Sequence, residues 1–121
     1  MSQTEQLFLI LDDEESIRHS IAAYMEDEGF VVFTAASGEE AVKIVAEHPI
    51  DAAVVDIRLP GIDGNTFMIE ARKIRPDIKL VVHTGSSDYA PPEEVRALGI
   101  TDEKILIKPT RDLAVIIRAL D

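Results

Sequence analysis

Apolar residues follow two rhythms along this chain. Short, mainly apolar runs at Leu7–Leu11, Phe30–Ala35, Ala52–Val55, Ile78–Val82 and Lys104–Ile107 have the length of strands buried on both faces. Between them apolar residues recur every three or four positions. Ser16–Glu28 carries Ile17, Ile21, Tyr24 and Met25, and Gly29 stops it. Ser37 caps a second helix with early acids Glu39 and Glu40, inner residues Ala41, Ile44 and Val45, and an end at His48-Pro49. A third follows Gly64, with Phe67, Met68, Ala71 and Ile74, and stops before Pro76. Pro91-Pro92 permits a short helix from Pro92 to about Leu98, since proline is tolerated in a first turn. Arg111–Leu120 closes the chain, with Leu113, Ile116, Ile117 and Leu120 inward. Five strands alternating with five helices predict an α/β fold: a five-stranded, mostly parallel sheet with helices on both faces.

Composition narrows the function classes. The 121 residues suit one domain, 1–121, with a single core. A formal charge of −11 leaves no basic stripe to replace counterions, so direct nucleic-acid binding and an anionic membrane surface are not expected. Met1 to Gln6 is polar and Leu7–Leu11 is too short to target or span. The chain has no cysteine, which excludes disulfides and thiolate chemistry and fits a cytoplasmic protein. His19, His48 and His83 are scattered over different elements without metal-ligand spacing.

The polar signals sit at the C-terminal ends of the strands: Asp12-Asp13, Asp56, Thr84 and Lys108. In a parallel sheet those ends share one edge, the edge at which open α/β sheets bind ligands. Asp56 taken alone could equally cap a loop. With the others it makes three carboxylates, a hydroxyl and an amine in one place. Two unit charges 4 Å apart cost about 4 kcal/mol at an effective dielectric near 20, so either an acid is protonated or a cation resolves the conflict. Hard oxygens select magnesium or a similar divalent ion such as manganese. Asp13 and Asp56 suffice to hold it, with Asp12 holding a water and the backbone carbonyl of Arg58 a further ligand. Lys108 and Thr84 would contact a phosphoryl group, and a carboxylate is a known phosphoryl acceptor. The constellation suggests phosphoryl transfer onto Asp56.

Leu9-Ile-Leu-Asp12-Asp13-Glu14, Val54-Val55-Asp56-Ile-Arg-Leu-Pro60-Gly-Ile-Asp-Gly64, Thr84-Gly85 and Lys108-Pro109, in this order, resemble a bacterial response-regulator receiver domain from end to end. The resemblance implies a flavodoxin-like (βα)5 fold with strand order 2-1-3-4-5. It implies Asp56 as phospho-acceptor, Asp12 and Asp13 as the metal-binding acids, Thr84 as switch hydroxyl, Lys108 as phosphate contact, and a cis bond before Pro109. It further implies a signalling switch that catalyses only its own phosphorylation and dephosphorylation. The donor would be a phosphohistidine on a sensor histidine kinase or histidine phosphotransfer protein, and the downstream protein is not specified. A monomer or a weak phosphorylation-dependent dimer is expected. With Asp121 one helix after Pro109, a stand-alone regulator without an effector domain is expected too.

The fit loosens between Ser86 and Lys108. The interval of nine positions from Gly99 to Lys108 exceeds the family's usual one by two, and Pro91-Pro92 shortens or displaces the fourth helix. Ile105 stands where receivers usually carry a switching aromatic, and Thr110 where an apolar or aromatic residue is common. An altered switch, carried by movement of the Gly85–Ala90 loop, is expected. The alternative from another class is a phosphorylation-independent interaction module that keeps the fold. An aspartyl phosphatase is disfavoured because Arg58 occupies the place of its second Asp, and a flavin site because the edge is acidic.

Overall fold

Five strands, β1 (Leu7–Leu11), β2 (Val31–Ala35), β3 (Ala52–Val55), β4 (Lys79–Thr84) and β5 (Ile105–Ile107), form one parallel sheet in the order β2-β1-β3-β4-β5. Helices α1 (Glu15–Asp27), α2 (Gly38–Glu47), α3 (Gly64–Ile74) and α4 (Glu93–Arg96) lie in the crossovers, and α5 (Ala114–Leu120) follows the last strand. This computed structural model describes residues 6–120; Met1–Glu5 and Asp121, the two ends of the expected domain, lie outside them.

Strand residues alternate between two cores, as the pleat requires. Leu9, Leu11, Ala53, Val55, Leu80 and Val82 pack with Val45 of α2, Phe67, Met68 and Ala71 of α3, and Val95 of α4. Phe8, Ile10, Ala52, Val54 and Val81 pack with Ile21 and Met25 of α1 and Ile116 and Leu120 of α5. Phe67 is fully buried, so its truncation to Ala would cost about 3–5 kcal/mol. Caps set the helix starts nearest the sheet's C-terminal edge. Ser37 accepts from the Glu40 amide at 3.2 Å, while Glu40 reaches back to the Ala36 amide at 2.8 Å. Asp63 accepts from the Thr66 amide at 2.9 Å and starts α3.

Several boundaries differ from the expected ones. β2 begins at Val31, because Phe30 leaves the ladder to stack on Phe8 at 4.4 Å between ring centroids. β4 runs two residues beyond Val82, since His83 and Thr84 pair with Leu106 and Ile107 and are buried. Both side chains have a partner there: His83 Nε2 lies 2.9 Å from Thr110 Oγ1, and Thr84 Oγ1 accepts the Ser86 amide at 3.2 Å. Lys104 belongs to a 3-10 turn, Asp102–Lys104, and β5 starts at Ile105. That turn takes up the extra length between Gly99 and Lys108. α4 is a single turn over Glu93–Arg96 rather than a helix to Leu98. α5 begins at Ala114, where the Asp112 side chain accepts the Ala114 amide at 3.1 Å.

Candidate functional site

Leu11 of β1 lies opposite Val55 of β3, and an acid follows each strand directly. The Asp56 amide donates to the Leu11 carbonyl at 2.9 Å and the Asp12 amide to the Ala35 carbonyl at 3.1 Å. Register alone therefore carries both carboxylates to the same edge. Asp12 is 2% and Asp56 6% exposed, whereas Asp13 is open to solvent. One carboxylate oxygen from each of the three lies within 4.8 Å of the others.

Lys108 arrives from the other side. Its amide donates to the Thr84 carbonyl at 2.8 Å, prolonging the β4–β5 ladder by one step, and its peptide bond to Pro109 is cis. Its ammonium has three donors and meets three acids. Asp12 Oδ2 is at 2.8 Å, Asp56 Oδ2 at 3.4 Å and Glu14 Oε1 at 3.4 Å. The remaining oxygens are held by backbone: Asp12 Oδ1 accepts the Glu14 amide at 2.9 Å and Asp56 Oδ1 the Ile57 amide at 2.8 Å. Burial, then the charge of Asp12, push the Asp56 carboxyl above the usual carboxylate range, and Lys108 only partly counters them. Burial works to lower the Lys108 ammonium, but its hydrogen bond to Asp12 and the charges of Asp12 and Asp56 leave it raised. Lys108 is charged across the physiological range.

The segment after β3 is clamped to this acid. The Gly64 amide donates to the Ile57 carbonyl at 3.0 Å, and a Cβ on Gly64 would stand 2.2 Å from the Asp56 carbonyl oxygen. Only glycine allows so close an approach. On the opposite flank a Cβ on Gly38 would meet the Ile62 carbonyl at 2.5 Å, and Glu39 accepts the Ile62 amide at 3.3 Å. Arg58 is exposed and borders a cleft of about 230 Å³ that Asp13, Glu14, Asp56, Thr84, Gly85, Ser86 and Lys108 also line. Thr84 is 1% exposed, and its hydroxyl accepts the Ser86 amide at 3.2 Å.

The structure thus gathers Asp12, Asp13, Asp56, Thr84 and Lys108 at one edge, with Arg58 at its rim. Ile105 lies apart, half-buried against the core between the sheet and α2–α3. Four carboxylates, counting Glu14, face one ammonium across an open cleft. Hard oxygen donors with this excess of negative charge fit a divalent cation of the magnesium class. Sequence reasoning passed over Glu14, which its place in the Asp-Asp-Glu run could have suggested. It also passed over two pairs without any local signal. His83 Nε2 and Thr110 Oγ1 lie 2.9 Å apart, and the buried Nδ1 of His83 has no partner among the described residues. Burial first, then the nearby Lys108 charge, hold the His83 imidazole below its ordinary value. The Tyr89 phenol donates to Asn65 Oδ1 at 2.5 Å.

Comparison with known proteins agrees with this arrangement. The family model for the response regulator receiver domain matches residues 8–121. An NtrX-like response regulator of Rickettsia typhi is 45% identical over 87 residues, 70% of this chain, and the match spans 18% of that relative's length. A response regulator structure from Burkholderia pseudomallei, with a phosphorylated aspartic acid, calcium ion and citrate, superposes with a TM-score of 0.85 at 26% identity. It covers 97% of this chain and 67% of that one. The response regulator TrrA of Thermotoga maritima, in complex with Mg2+-BeF, gives 0.81 at 30% identity over 96% of this chain and 99% of that one. Among the described residues no helix is long and apolar enough to cross a membrane.

Proposed function

Because the chain belongs to the response regulator receiver domain family of two-component signalling, we propose that it accepts a phosphoryl group on Asp56 from a phosphohistidine donor. The observation that carries this reading is the Lys108 ammonium joining Asp12 and Asp56 at 2.8 and 3.4 Å beside an acid-lined cleft. In the transfer, a carboxylate oxygen of Asp56 forms an O–P bond while the P–N bond to the donor imidazole breaks, and the imidazole leaves with the electron pair. Lys108 balances charge on the equatorial oxygens, and the Thr84 hydroxyl turns to donate to one of them. Asp13 and Asp56, with the Arg58 carbonyl, would hold Mg2+ or Mn2+, and Asp12 would hold one of its waters. That cation would neutralise the phosphoryl charge that these acids otherwise repel.

The domain acts as a signalling switch and releases its phosphoryl group by its own hydrolysis. Its donor is a sensor histidine kinase or histidine phosphotransfer protein in the cytoplasm. Its output is a changed surface on α4, β5 and α5, read by a downstream protein. The complete set of acids and lysine favours this over a phosphorylation-independent module. The test is transfer from an isotopically labelled phosphohistidine donor protein in the presence of magnesium. Label should pass from donor to the wild-type chain and not to Asp56→Asn; label remaining on the donor with both would overturn the reading.

A further inference from the structure

The aromatic that receivers usually carry on the fifth strand is Ile105 here, yet one tyrosine is tied to the site by a run of hydrogen bonds and adjoining backbone. The Thr84 hydroxyl accepts the Ser86 amide at 3.2 Å. The Ser86 carbonyl in turn accepts the Tyr89 amide at 3.2 Å. The Tyr89 phenol donates to Asn65 Oδ1 at 2.5 Å, between a residue of the β4–α4 segment and the second residue of α3. Asn65 follows Gly64, whose amide is bonded to the Ile57 carbonyl and which sits against the backbone of Asp56. The path therefore leaves the site at Thr84 and returns to it at Asp56.

The parts of this path differ in freedom. Gly64 is pinned, because nothing larger than hydrogen fits beside the Asp56 carbonyl. Gly85, between Thr84 and Ser86, has no atom within 4 Å of where a Cβ would stand, so the segment has room to shift there. The Tyr89 ring is half-buried against the core that also receives Ile105. Burial first, with the like charge of Asp63, pushes its phenol up from 10.0 to about 12. The phenol is an uncharged donor, and Asn65 supplies a neutral acceptor that does not titrate.

We propose that Tyr89 is the aromatic reporter of this site: its bond to Asn65 latches the Gly85–Pro92 segment onto α3 while Asp56 is free, and the latch opens when Thr84 turns to a phosphoryl group. This rests on the phospho-accepting reading above. A hydroxyl that turns toward Asp56 while still accepting the Ser86 amide draws Ser86 with it, and so moves the backbone from which Tyr89 hangs. A displacement of Tyr89 by more than about 0.5 Å carries the phenol beyond hydrogen-bond range of Asn65, so the bond opens once the segment shifts that far. Tyr89 acts through Thr84 and is a positioning residue.

Tyr24 and Tyr89 are the two tyrosines and there is no tryptophan, so Tyr24→Phe leaves Tyr89 as the sole phenol. The experiment is NMR at neutral pH of this protein carrying ring-labelled [13Cζ]-tyrosine. It is recorded free and with magnesium and beryllofluoride, and compared with the same protein carrying Asn65→Ala. Beryllofluoride should move the Tyr89 signal to the position that Asn65→Ala shows without it, and should move it little further in that variant. Acetyl phosphate should phosphorylate Asn65→Ala and Tyr89→Phe a few-fold faster than wild type, because the latch no longer opposes the turned Thr84. A merely structural Tyr89 would leave its signal where it is while the Thr84 and Ser86 amides shift; that result overturns the latch and leaves phosphorylation standing. An Asn65→Ala signal identical to the free wild-type one overturns it as well. Failure of beryllofluoride to shift Asp56 and Ile57, with no phosphoryl mass gained, would overturn the phospho-accepting reading and the latch together.

Discussion

Replacing Asp56 by Asn should make the cation-free protein more stable at neutral pH. Asp56 faces Asp12 and Asp13 within 4.8 Å, and each such pair repels by about 3.5 kcal/mol at an effective dielectric near 20. Asp13 is exposed, so solvent screens most of its share. Lys108 opposes the repulsion, but its ammonium is divided among three acids and lies closest to Asp12 at 2.8 Å. Burial and Asp12 prevail, and the carboxyl is raised above 3.8. The folded chain then binds this proton more tightly than the unfolded chain. Stability from this group is complete below the ordinary carboxylate value and is lost as pH rises through the raised one. An ionised Asp56 is a cost at pH 7. Asn keeps an oxygen for the Ile57 amide and removes the charge, for an expected gain of about 1–2 kcal/mol. Urea unfolding followed by circular dichroism in chelator should show the midpoint higher by about 1 M, for a slope typical of this size. The advantage should shrink as pH is lowered toward 4. Saturating magnesium should close or reverse it, since a ligand at 100 times its Kd adds about 2.7 kcal/mol to the wild type alone. A variant less stable than wild type in chelator at pH 7, or an advantage indifferent to pH, would refute the electrostatic reasoning.

Other substitutions probe the supports of the site. Lys108→Met should destabilise the protein by about 2–4 kcal/mol in chelator, because it leaves Asp12 and Asp56 buried without their cation. It should also slow phosphorylation by acetyl phosphate by about tenfold or more, measured by the rate of mass gain. Gly64→Ala must push the Asp56 backbone, so it should cost about 1–3 kcal/mol in urea unfolding and reduce phosphorylation well beyond that loss of fold. Arg72 donates to the Ile78 and Leu98 carbonyls, both at 2.8 Å. Arg72→Ala should orphan them, cost about 1–3 kcal/mol in urea unfolding, and raise amide exchange around Leu98–Ile100 while leaving the acidic cluster in place.

Much of the fold was legible because apolar pattern and burial obey the same geometry. The run Ala52–Val55 reads as a strand covered on both faces, and all four of its residues are buried. The strand order came through the resemblance of the motifs, and the sheet has that order. Edges were less legible. β4 extends through His83 and Thr84 because both pair with β5, while His83 Nε2 meets the Thr110 hydroxyl and the Thr84 hydroxyl meets the Ser86 amide, so two residues that look like a strand's end continue it. The Gly99–Lys108 interval showed extra length but not its form, a 3-10 turn, since three-residue turns leave no periodicity. In the site, strand-end positions gathered the acids, the hydroxyl and the lysine because register is a property of the whole sheet. Contacts made by side chains distant in sequence were invisible. Tyr89 and Asn65 are 24 positions apart and neither belongs to a motif. Glu39 steadies Ile62 from 23 positions away in the same manner.

The central claim is that Asp56 accepts a phosphoryl group, and intact mass tests it most directly. Wild type and Asp56→Asn are incubated with magnesium and acetyl phosphate at neutral pH and measured without delay. The account expects one phosphoryl group added to the wild type, none to the variant, and none to either in chelator. A wild type that binds magnesium yet gains no mass, or a variant that gains as much as wild type, would contradict it.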